Sequence, residues 1–381
     1  MPSDATAYLD HAATTPMHPE VLDAMQPYFT EVFGNPSGSH PVARLARRAI
    51  DEARDLIASV VGCEPREVIF TSGGTEADNQ AIFGTHHKRG GTVMCTAVEH
   101  HAVLEPVEHL GGIVVGVTPT GHVDLDALAI AVDRSPEPVT IVSVMLVNNE
   151  VGTINDLDAV RRVLRKPAPD AVIHTDAVQA AAWLDLRFAA RSADLISLSA
   201  HKFGGPKGVG ALIARGSREP AALLLGGGQE RELRSGTHNV AGIVGMATAI
   251  ALTDARRDLT NARVVALRDR LVDGLIGSVP GLIETVPRNF KVAGAAHVCV
   301  PGVESEALLF LLERAGVYAT AASSCASGAM EPSHVLAAMG TDRSLAGGAL
   351  RLTLGPASTA SDVEQALVAL PAAVHRLRGN A

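Results

Sequence analysis

The sequence predicts an α/β protein, in which a large domain built on a mainly parallel sheet with helices on both faces is joined to a smaller α+β domain. Between residues 51 and 214, short apolar runs alternate with segments of helical periodicity, which is the pattern of strands connected by crossover helices. After a Gly226-Gly227-Gly228 turn, a long helical stretch from about residue 241 to 276 precedes further short strands. The chain has 381 residues, more than one hydrophobic core usually supports.

Local patterns predict each element of the large domain. A stripe of apolar residues predicts a helix over 43–60, and Gly62 is placed to end it. Further helices are predicted at 75–84 and 101–110. Strands are predicted at 68–70, 92–94, 113–117, 141–147, 172–173 and 195–198.

The smaller domain is predicted from a strand at 298–300, a helix at 304–315 and a strand at 350–354. We expect the large domain to cover residues 15–255 and the smaller one to combine residues 1–14 with residues 256–381.

Composition excludes several classes of protein. Hydrophobic residues make up 47% of the chain and charged residues 19%, which is ordinary for a globular protein and not for a disordered one. The net charge of −9 argues against a general nucleic-acid-binding surface. The N-terminus has no basic stretch followed by an apolar one, and no apolar run approaches about 18 residues. We therefore expect a cytoplasmic protein that neither spans a membrane nor binds nucleic acid directly.

The four cysteines are scattered and form no C-x-x-C pair, so they predict neither a disulfide framework nor a zinc site. Cys63, Cys95 and Cys299 have apolar neighbours and are expected to pack as small hydrophobic residues. Cys325 differs, because residues 322–333 are rich in small residues and suit an accessible, mobile thiol; the alternative is a small buried thiol.

Lys202 follows a buried strand. The apolar run 193–199 leads into Ala200-His201-Lys202, and a glycine-rich turn comes next. Functional side chains of parallel sheets cluster just past the carboxyl ends of strands. Burial there lowers the pKa of a lysine and frees its amine as a nucleophile, so Lys202 is a candidate for Schiff-base chemistry. The alternative is a surface lysine after a strand.

The segment Thr71-Ser72-Gly73-Gly74-Thr75-Glu76 ends a predicted strand, turns on two glycines and opens a helix. Free backbone N–H groups, the positive helix end and a hydroxyl suit a phosphate. The segment is not a Walker A loop, because no G-K-[ST] follows. Plain turn chemistry is the alternative.

Three more strand ends carry candidate residues. Asp176 can hold the pyridinium nitrogen of pyridoxal phosphate protonated, or it can cap a helix; Gln179 lies three residues further on. His100 can stack on a flat cofactor and move protons, although most histidines are solvated or core residues. The adjacent histidines 100 and 101 do not predict a metal site. Asn149 is either part of an ordinary turn or an amide donor.

Together, and in this order, these motifs resemble the cysteine desulfurases, fold-type I pyridoxal phosphate enzymes of the class-V aminotransferase type that are similar to NifS and IscS. The resemblance runs from Tyr8 to about Leu354, nearly the whole chain. The motifs that carry it are Leu9-Asp10-His11-Ala12-Ala13-Thr14-Thr15, Gly73-Gly74-Thr75-Glu76, Glu99-His100, Val147-Asn148-Asn149-Glu150, Asp176-Ala177-Val178-Gln179, Ser199-Ala200-His201-Lys202, Arg234-Ser235-Gly236-Thr237 and Ser324-Cys325. The implied fold has a mainly parallel seven-stranded sheet, and the implied cofactor is pyridoxal 5'-phosphate.

The resemblance also implies how the cofactor is held. Lys202 binds it covalently, Asp176 pairs with its ring nitrogen, and Gln179 approaches its phenolic oxygen. His100 stacks on the ring and acts as an acid and base. The phosphate is bound by Gly74, Thr75, Ser199 and His201, together with Thr237 from the partner subunit of a homodimer. Without that partner, the segment 226–237 is predicted to be a surface loop.

For the substrate, the resemblance implies that Arg351 and Asn149 hold the carboxylate of L-cysteine, with Asn149 also against the cofactor. Cys325, on a loop covering about residues 320–333, accepts the sulfur as a persulfide, and L-alanine is released. An acceptor protein then takes the sulfur for iron–sulfur cluster assembly, tRNA thiolation or sulfur modification of DNA. The sequence departs from many relatives at Glu232, where they have glycine, and at Ala326, where they have threonine.

Two alternative functions are compatible with parts of this pattern. A selenocysteine lyase or another fold-type I aminotransferase shares Lys202 and Asp176 but does not depend on Cys325. A non-catalytic sulfur-trafficking scaffold is disfavoured, because it needs neither of those residues nor His100.

Overall fold

The structure is a computed structural model that describes residues 6–321 and 333–379. Its strands are Ala7–Tyr8 (β1), Val68–Thr71 (β2), Thr92–Thr96 (β3), Ile113–Val115 (β4), Val139–Ser143 (β5), Val172–Asp176 (β6), Leu195–Ser199 (β7), Gly210–Ala214 (β8), Ile283–Glu284 (β9), Ala295–Cys299 (β10), Val317–Tyr318 (β11) and Ala349–Thr353 (β12).

The helices are Pro19–Met25 (α1), Pro27–Thr30 (α2), Pro41–Val61 (α3), Gly74–Arg89 (α4), His101–His109 (α5), Leu125–Asp133 (α6), Leu157–Leu164 (α7), Leu186–Ala189 (α8), Val240–Ser278 (α9), Ser305–Arg314 (α10), His334–Ala338 (α11), Arg343–Ala346 (α12) and Ala360–Gly379 (α13). None of the helices in the described ranges is long and apolar enough to cross a membrane.

A seven-stranded, mainly parallel sheet forms the centre of the fold, as predicted. Its strand order is β2-β8-β7-β6-β5-β3-β4, and only β8 runs against its neighbours. The short connection from β7 to β8 contains no crossover helix, so the two strands have to pair antiparallel. The strand β8 lies within the predicted alternating region but was not predicted separately.

Both faces of the sheet are covered. Alternate residues of each strand point to opposite faces. On β3, Val93 and Cys95 pack with the helices α4 and α5, whereas Met94 packs in the main core. Because both faces exclude water, the strands are buried at nearly every position, polar residues such as His174 and Ser197 included. Their short apolar runs were recognisable in the sequence.

The predicted helix 43–60 corresponds to α3, and Gly62 ends it in the left-handed conformation, with φ of 74°. The predicted strand 141–147 is shorter in the structure. It leaves the ladder after Ser143, and its continuation donates hydrogen bonds from Val144 to the carbonyl of His174 and from Leu146 to that of Asp176, each 3.0 Å long. The helices α6, α7 and α13 had not been predicted.

The C-terminal part forms a separate three-stranded antiparallel sheet in the order β12-β10-β9. The N-terminal strand β1 pairs with β11, and Asp10 forms a parallel bridge with Thr353 on β12. The N-terminal segment therefore lies against the C-terminal part. The helix α9 runs without interruption across residues 255 and 256, and the division into domains there stays a prediction.

Candidate active site

The sheet brings the predicted site residues to one edge. The strands β2, β3, β5, β6 and β7 all run in the same direction, so their carboxyl ends lie side by side. The residues that come after these ends are Gly74 after β2, His100 after β3, Asn149 after β5, Asp176 and Gln179 at and after β6, and Ser199 to Lys202 at and after β7. Candidates separated by more than a hundred positions in the chain therefore meet at one edge.

The turn between β2 and α4 is open to an anion. The helix begins at Gly74, and its N-terminus has no side-chain cap. A Cβ atom on Gly74 would lie 2.8 Å from Cγ2 of Val178 and 3.5 Å from Cβ of Ser199, so only glycine fits there without a shift. The uncapped N–H groups and the neighbouring Ser199 make a site that suits a phosphate.

Lys202 is held by the N-terminal segment of the chain. Its Nζ donates hydrogen bonds to the backbone carbonyls of Ala12, at 2.6 Å, and Ala13, at 2.9 Å. Burial, followed by the positive charge of Arg351, lowers the pKa of the Lys202 amine to about 8, although Asp176 opposes this. The amine is therefore a better nucleophile near neutral pH than an exposed lysine would be.

Asp176 ends β6 as a buried carboxyl group. Its Oδ1 accepts a hydrogen bond of 2.8 Å from the backbone N–H of Val178. Burial raises the pKa of Asp176, opposed by that hydrogen bond and by the charges of His100 and Lys202. A carboxyl group that is buried at this cost is stabilised by a cation beside it.

Gln179 and His201 are tied to the N-terminal segment as well. The side-chain amide of Gln179 donates to the carbonyl of Ala12 at 2.7 Å. The Nδ1 atom of His201 lies 3.1 Å from Oγ1 of Thr14. Burial, together with the charge of Lys202, lowers the pKa of His201 to about 4, so its ring is neutral at physiological pH.

His100 caps the helix α5, and this cap fixes its tautomer. The backbone N–H of Ala102 donates to Nδ1 of His100 at 3.1 Å, so Nδ1 is an acceptor and the neutral ring carries its proton on Nε2. Burial lowers the pKa of His100, which keeps the ring neutral near pH 7. The protonated nitrogen is thus the one that the helix leaves available.

Arg351 lies on β12, in the C-terminal sheet. Its Nη1 donates to the backbone carbonyl of Asn149 at 3.0 Å, and its Nη2 donates to Oδ1 of Asp10 at 2.7 Å. Asn149, Gln179 and Lys202 line one cavity. Of the predicted substrate residues, Asn149 therefore lines the same cavity as the lysine, and Arg351 contacts Asn149.

Thr237 lies on the loop formed by residues 226–237. It is exposed, and it lines a different cavity together with Thr71, Ser72 and Gly208. The loop that carries Thr237 is held against the helix α3, because the buried side chain of Glu230 forms an ion pair with Arg54. Glu230, Arg231 and Glu232 have φ values of 48°, 57° and 65°, in the left-handed region. At Glu232, the left-handed conformation is one that glycine adopts without strain.

Comparisons with known proteins identify the family. Residues 7–366 match the family model described as Aminotransferase class-V. The chain is 45% identical over 388 residues to the IscS-like cysteine desulfurase of Mycobacterium tuberculosis strain ATCC 25618 / H37Rv, covering 98% of this chain and 97% of that one. This chain belongs to the cysteine desulfurases. The family makes it a pyridoxal phosphate-dependent enzyme.

Solved structures of relatives share the fold of this cysteine desulfurase. A NifS-like protein superposes with a TM-score of 0.88 at 35% identity, covering 96% of this chain and 98% of that one. SspA, solved in complex with cysteine, superposes with a TM-score of 0.79 at 29% identity, covering 93% of this chain and all of that one (100%). The predicted fold-type I architecture is confirmed.

The residues of this desulfurase fit the cofactor. The open helix N-terminus at Gly74 suits its phosphate, the buried carboxyl of Asp176 suits a protonated ring nitrogen, and the low-pKa amine of Lys202 suits its aldehyde. The phosphate, the ring nitrogen and the aldehyde of pyridoxal phosphate thus each have a residue of suitable chemistry in the predicted site.

Cys325 lies outside the described residues. The three described cysteines are poor candidates for a nucleophile: burial raises the pKa of Cys63 to about 12 and also raises the pKa of Cys95 and of Cys299. Cys95 and Cys299 are buried, as predicted, and Cys63 is partly buried. Each therefore remains a neutral thiol at physiological pH.

Several buried carboxyl groups near the site had no predicted role. Burial raises the pKa of Glu99 to about 8, that of Glu150 to about 7 and that of Asp78 well above its ordinary value. Glu99 and Glu150 adjoin the predicted residues His100 and Asn149, a signal that sequence reasoning did not use. Asp78 had only its place on α4 as a signal, four positions after Gly74 on the same helix face.

Proposed function

We propose that this cysteine desulfurase removes the sulfur of L-cysteine, releases L-alanine and leaves a persulfide on Cys325. The observation that carries the proposal is the position of Lys202. The charges of Asp176 and Arg351 both act on the pKa of its amine, and Lys202 lines a cavity together with Asn149. An amine, a carboxyl group and a guanidinium group in this arrangement suit a cofactor aldehyde, its ring nitrogen and the carboxylate of an amino acid.

In this proposal, the cofactor's phosphate is bound by Gly74, Thr75, Ser199 and His201, its ring nitrogen by Asp176 and its phenolic oxygen by Gln179, with His100 over the ring. When bound, pyridoxal phosphate withdraws electrons from the substrate's Cα, which makes the Cα proton removable. His100 contributes its Nε2–H, because its Nδ1 is occupied by the cap of α5.

Lys202 is the proposed base at Cα. A lysine with a pKa of about 8 instead of 10.5 has roughly 300-fold more neutral amine at pH 7. Arg351 and Asn149 hold the substrate carboxylate, so that the Cα proton is presented to the amine. The solved complex of SspA with cysteine supports an amino-acid substrate of this kind.

Cys325 is the proposed sulfur acceptor. Its thiolate attacks the substrate sulfur, and the new S–S bond forms as the bond between Cβ and sulfur breaks. The electron pair of the broken bond stays with the three-carbon fragment, which takes up a proton at Cβ. The proton that Lys202 removed returns to Cα, and the fragment leaves as L-alanine. The departing sulfur thereby becomes the outer atom of a persulfide on Cys325.

We also propose a cytoplasmic homodimer in which Thr237 reaches the phosphate site of the partner subunit. Thr237 is exposed, and the same loop follows Leu225, whose side chain is 86% exposed. An exposed leucine beside an exposed polar residue on a rigid loop suits an interface between two copies. An acceptor protein then takes the sulfur for iron–sulfur cluster assembly, tRNA thiolation or DNA modification.

The test is the mass of the tryptic peptide 315–343, which contains Cys325, after the enzyme is incubated with L-cysteine without reductant. We expect a gain of one sulfur atom that dithiothreitol removes. This reversal matters because Met330 and Met339 lie in the same peptide, and two methionine oxidations add nearly the same mass.

The matched control is Cys63→Ser, which should leave the gain and the release of alanine unchanged; Cys325→Ser should abolish both. If the wild-type enzyme binds the cofactor but peptide 315–343 gains no sulfur, the persulfide proposal is wrong. Selenocysteine lyase or aminotransferase activity would then be measured instead.

A further inference from the structure

The guanidinium group of Arg351 already has a carboxylate partner in the protein. Its side chain is 9% exposed and that of Asp10 is 21% exposed, and the two are joined by a contact of 2.7 Å between Nη2 and Oδ1. Its Nη1 donates to the carbonyl of Asn149, and its Nε–H is buried without a hydrogen-bond partner among the described residues. Of its five N–H donors, two are therefore used by the protein.

Asp10 belongs to a rigid turn, residues 10–14. The single proton of the Tyr8 hydroxyl is shared between the carbonyl oxygens of Asp10 and Thr14, which both lie 3.0 Å from the hydroxyl oxygen. The backbone N–H of Ala12 donates to Oγ1 of Thr353 at 2.9 Å. The same turn accepts hydrogen bonds from Lys202 through Ala12 and Ala13. One element thus fixes both the amine and the guanidinium group.

We propose that Asp10 is a positioning residue, whose carboxylate holds Arg351 in the orientation that receives the carboxylate of the substrate. This inference rests on the proposed function, in which Arg351 binds that carboxylate. Asp10 belongs to the motif Leu9–Thr15, and no role was predicted for it.

The physical reason is preorganisation. A long arginine side chain loses rotamer freedom when it binds a ligand, and a partner that has already fixed it removes that cost from binding. The contact also keeps a nearly buried positive charge from being unpaired before the substrate arrives, which would otherwise be unfavourable. Asp10 uses one donor of Nη2, so three donors of Arg351, including Nε–H, remain for a ligand.

The test separates binding of a carboxylate from binding of an amine. The two ligands are L-alanine, which carries the carboxylate, and cysteamine, which lacks it. Their binding to the holoenzyme is measured by the absorbance of the cofactor. The KM for L-cysteine is measured by the release of alanine. We expect Asp10→Ala to raise the KM for L-cysteine and the Kd for L-alanine about tenfold or more. The Kd for cysteamine should change less than about twofold.

Asp10→Asn keeps the shape and one acceptor oxygen, so its effect should be intermediate, and it serves as the second variant if Asp10→Ala does not fold. Asp158→Ala is the matched control, because it removes an aspartate bound to an arginine, Arg191, away from the site. In an Arg351→Lys background, Asp10→Ala should add little, since Asp10 acts through Arg351.

The proposal would be overturned if both Asp10 variants bound L-alanine as tightly as the wild type. It would also be overturned if they bound L-alanine more tightly, because Asp10 would then compete with the ligand. Equal weakening of L-alanine and cysteamine would overturn it too, because that would be a general structural effect. If the wild-type enzyme releases no alanine from L-cysteine, the proposed function fails instead, and the titrations with L-alanine and cysteamine still report on Asp10.

Discussion

Glu230→Gln tests the buried ion pair that holds the loop carrying Thr237. The Glu230 side chain is 2% exposed, and its carboxylate accepts hydrogen bonds from Arg54 at 2.6 and 2.9 Å, from His238 at 2.7 Å and from the backbone N–H of Phe70 at 2.9 Å. Glutamine keeps the size of the side chain but removes the charge. It also leaves Arg54, whose side chain is 12% exposed, without its carboxylate partner.

The magnitude comes from the pKa of Glu230. Burial alone would raise that pKa, but the hydrogen bonds from His238 and Arg54 outweigh burial and lower it from 4.5 to about 2. The shift corresponds to about 3 kcal/mol of stability at pH 7. Because the folded pKa is depressed, this contribution is complete above about pH 4.5 and is lost as the pH falls toward about 2. A chain of 381 residues has an unfolding entropy of about 0.8 kcal/mol/K, so the Tm should fall by about 4 °C.

The assay is thermal unfolding of the wild type and the variant at pH 7.5 and at pH 4, followed by circular dichroism. Glu52→Gln is the matched control: it breaks the exposed pair with Arg48 on the same helix, α3, and should change the Tm by less than about 1 °C. At pH 4 the Glu230 effect should be about a quarter smaller. A Tm for Glu230→Gln that falls no more than that of the control would refute the reasoning.

Two further predictions concern the candidate active site. His100→Asn should lower kcat about 10²–10⁴-fold but leave the Tm unchanged, because asparagine still caps α5 while the imidazole is lost; steady-state kinetics and thermal unfolding check this, and a kcat near the wild-type value would contradict it. The rate at which the apoenzyme takes up pyridoxal phosphate should rise about tenfold per pH unit below about pH 8 and level off above it, because only the neutral Lys202 amine reacts. Stopped-flow absorbance measures this rate, and a rate that stays flat between pH 6 and 8 would show that the amine is not the titrating group.

The sequence by itself determined the class of fold and named the candidate site residues, whose roles stay predictions. Strands such as β6 and β7 are buried on both faces, so their apolar runs were visible locally, and a parallel sheet places the residues after its strands at one edge. Lys202, Asp176 and His100 were therefore predictable without coordinates. The order of the motifs along the chain supplied the family.

Only the tertiary structure decided which groups control those residues. Asp10 and Arg351 are 341 positions apart, and Lys202 is 190 positions from the carbonyl of Ala12 that holds it. The pairing of β8 with β2 likewise joins distant parts of the chain. The burial and the electrostatic environment of a residue depend on all its neighbours in space, whereas periodicity and motifs depend only on its neighbours in the sequence. The pKa of Lys202 is set by its burial and by nearby charges, so only the tertiary structure could show it.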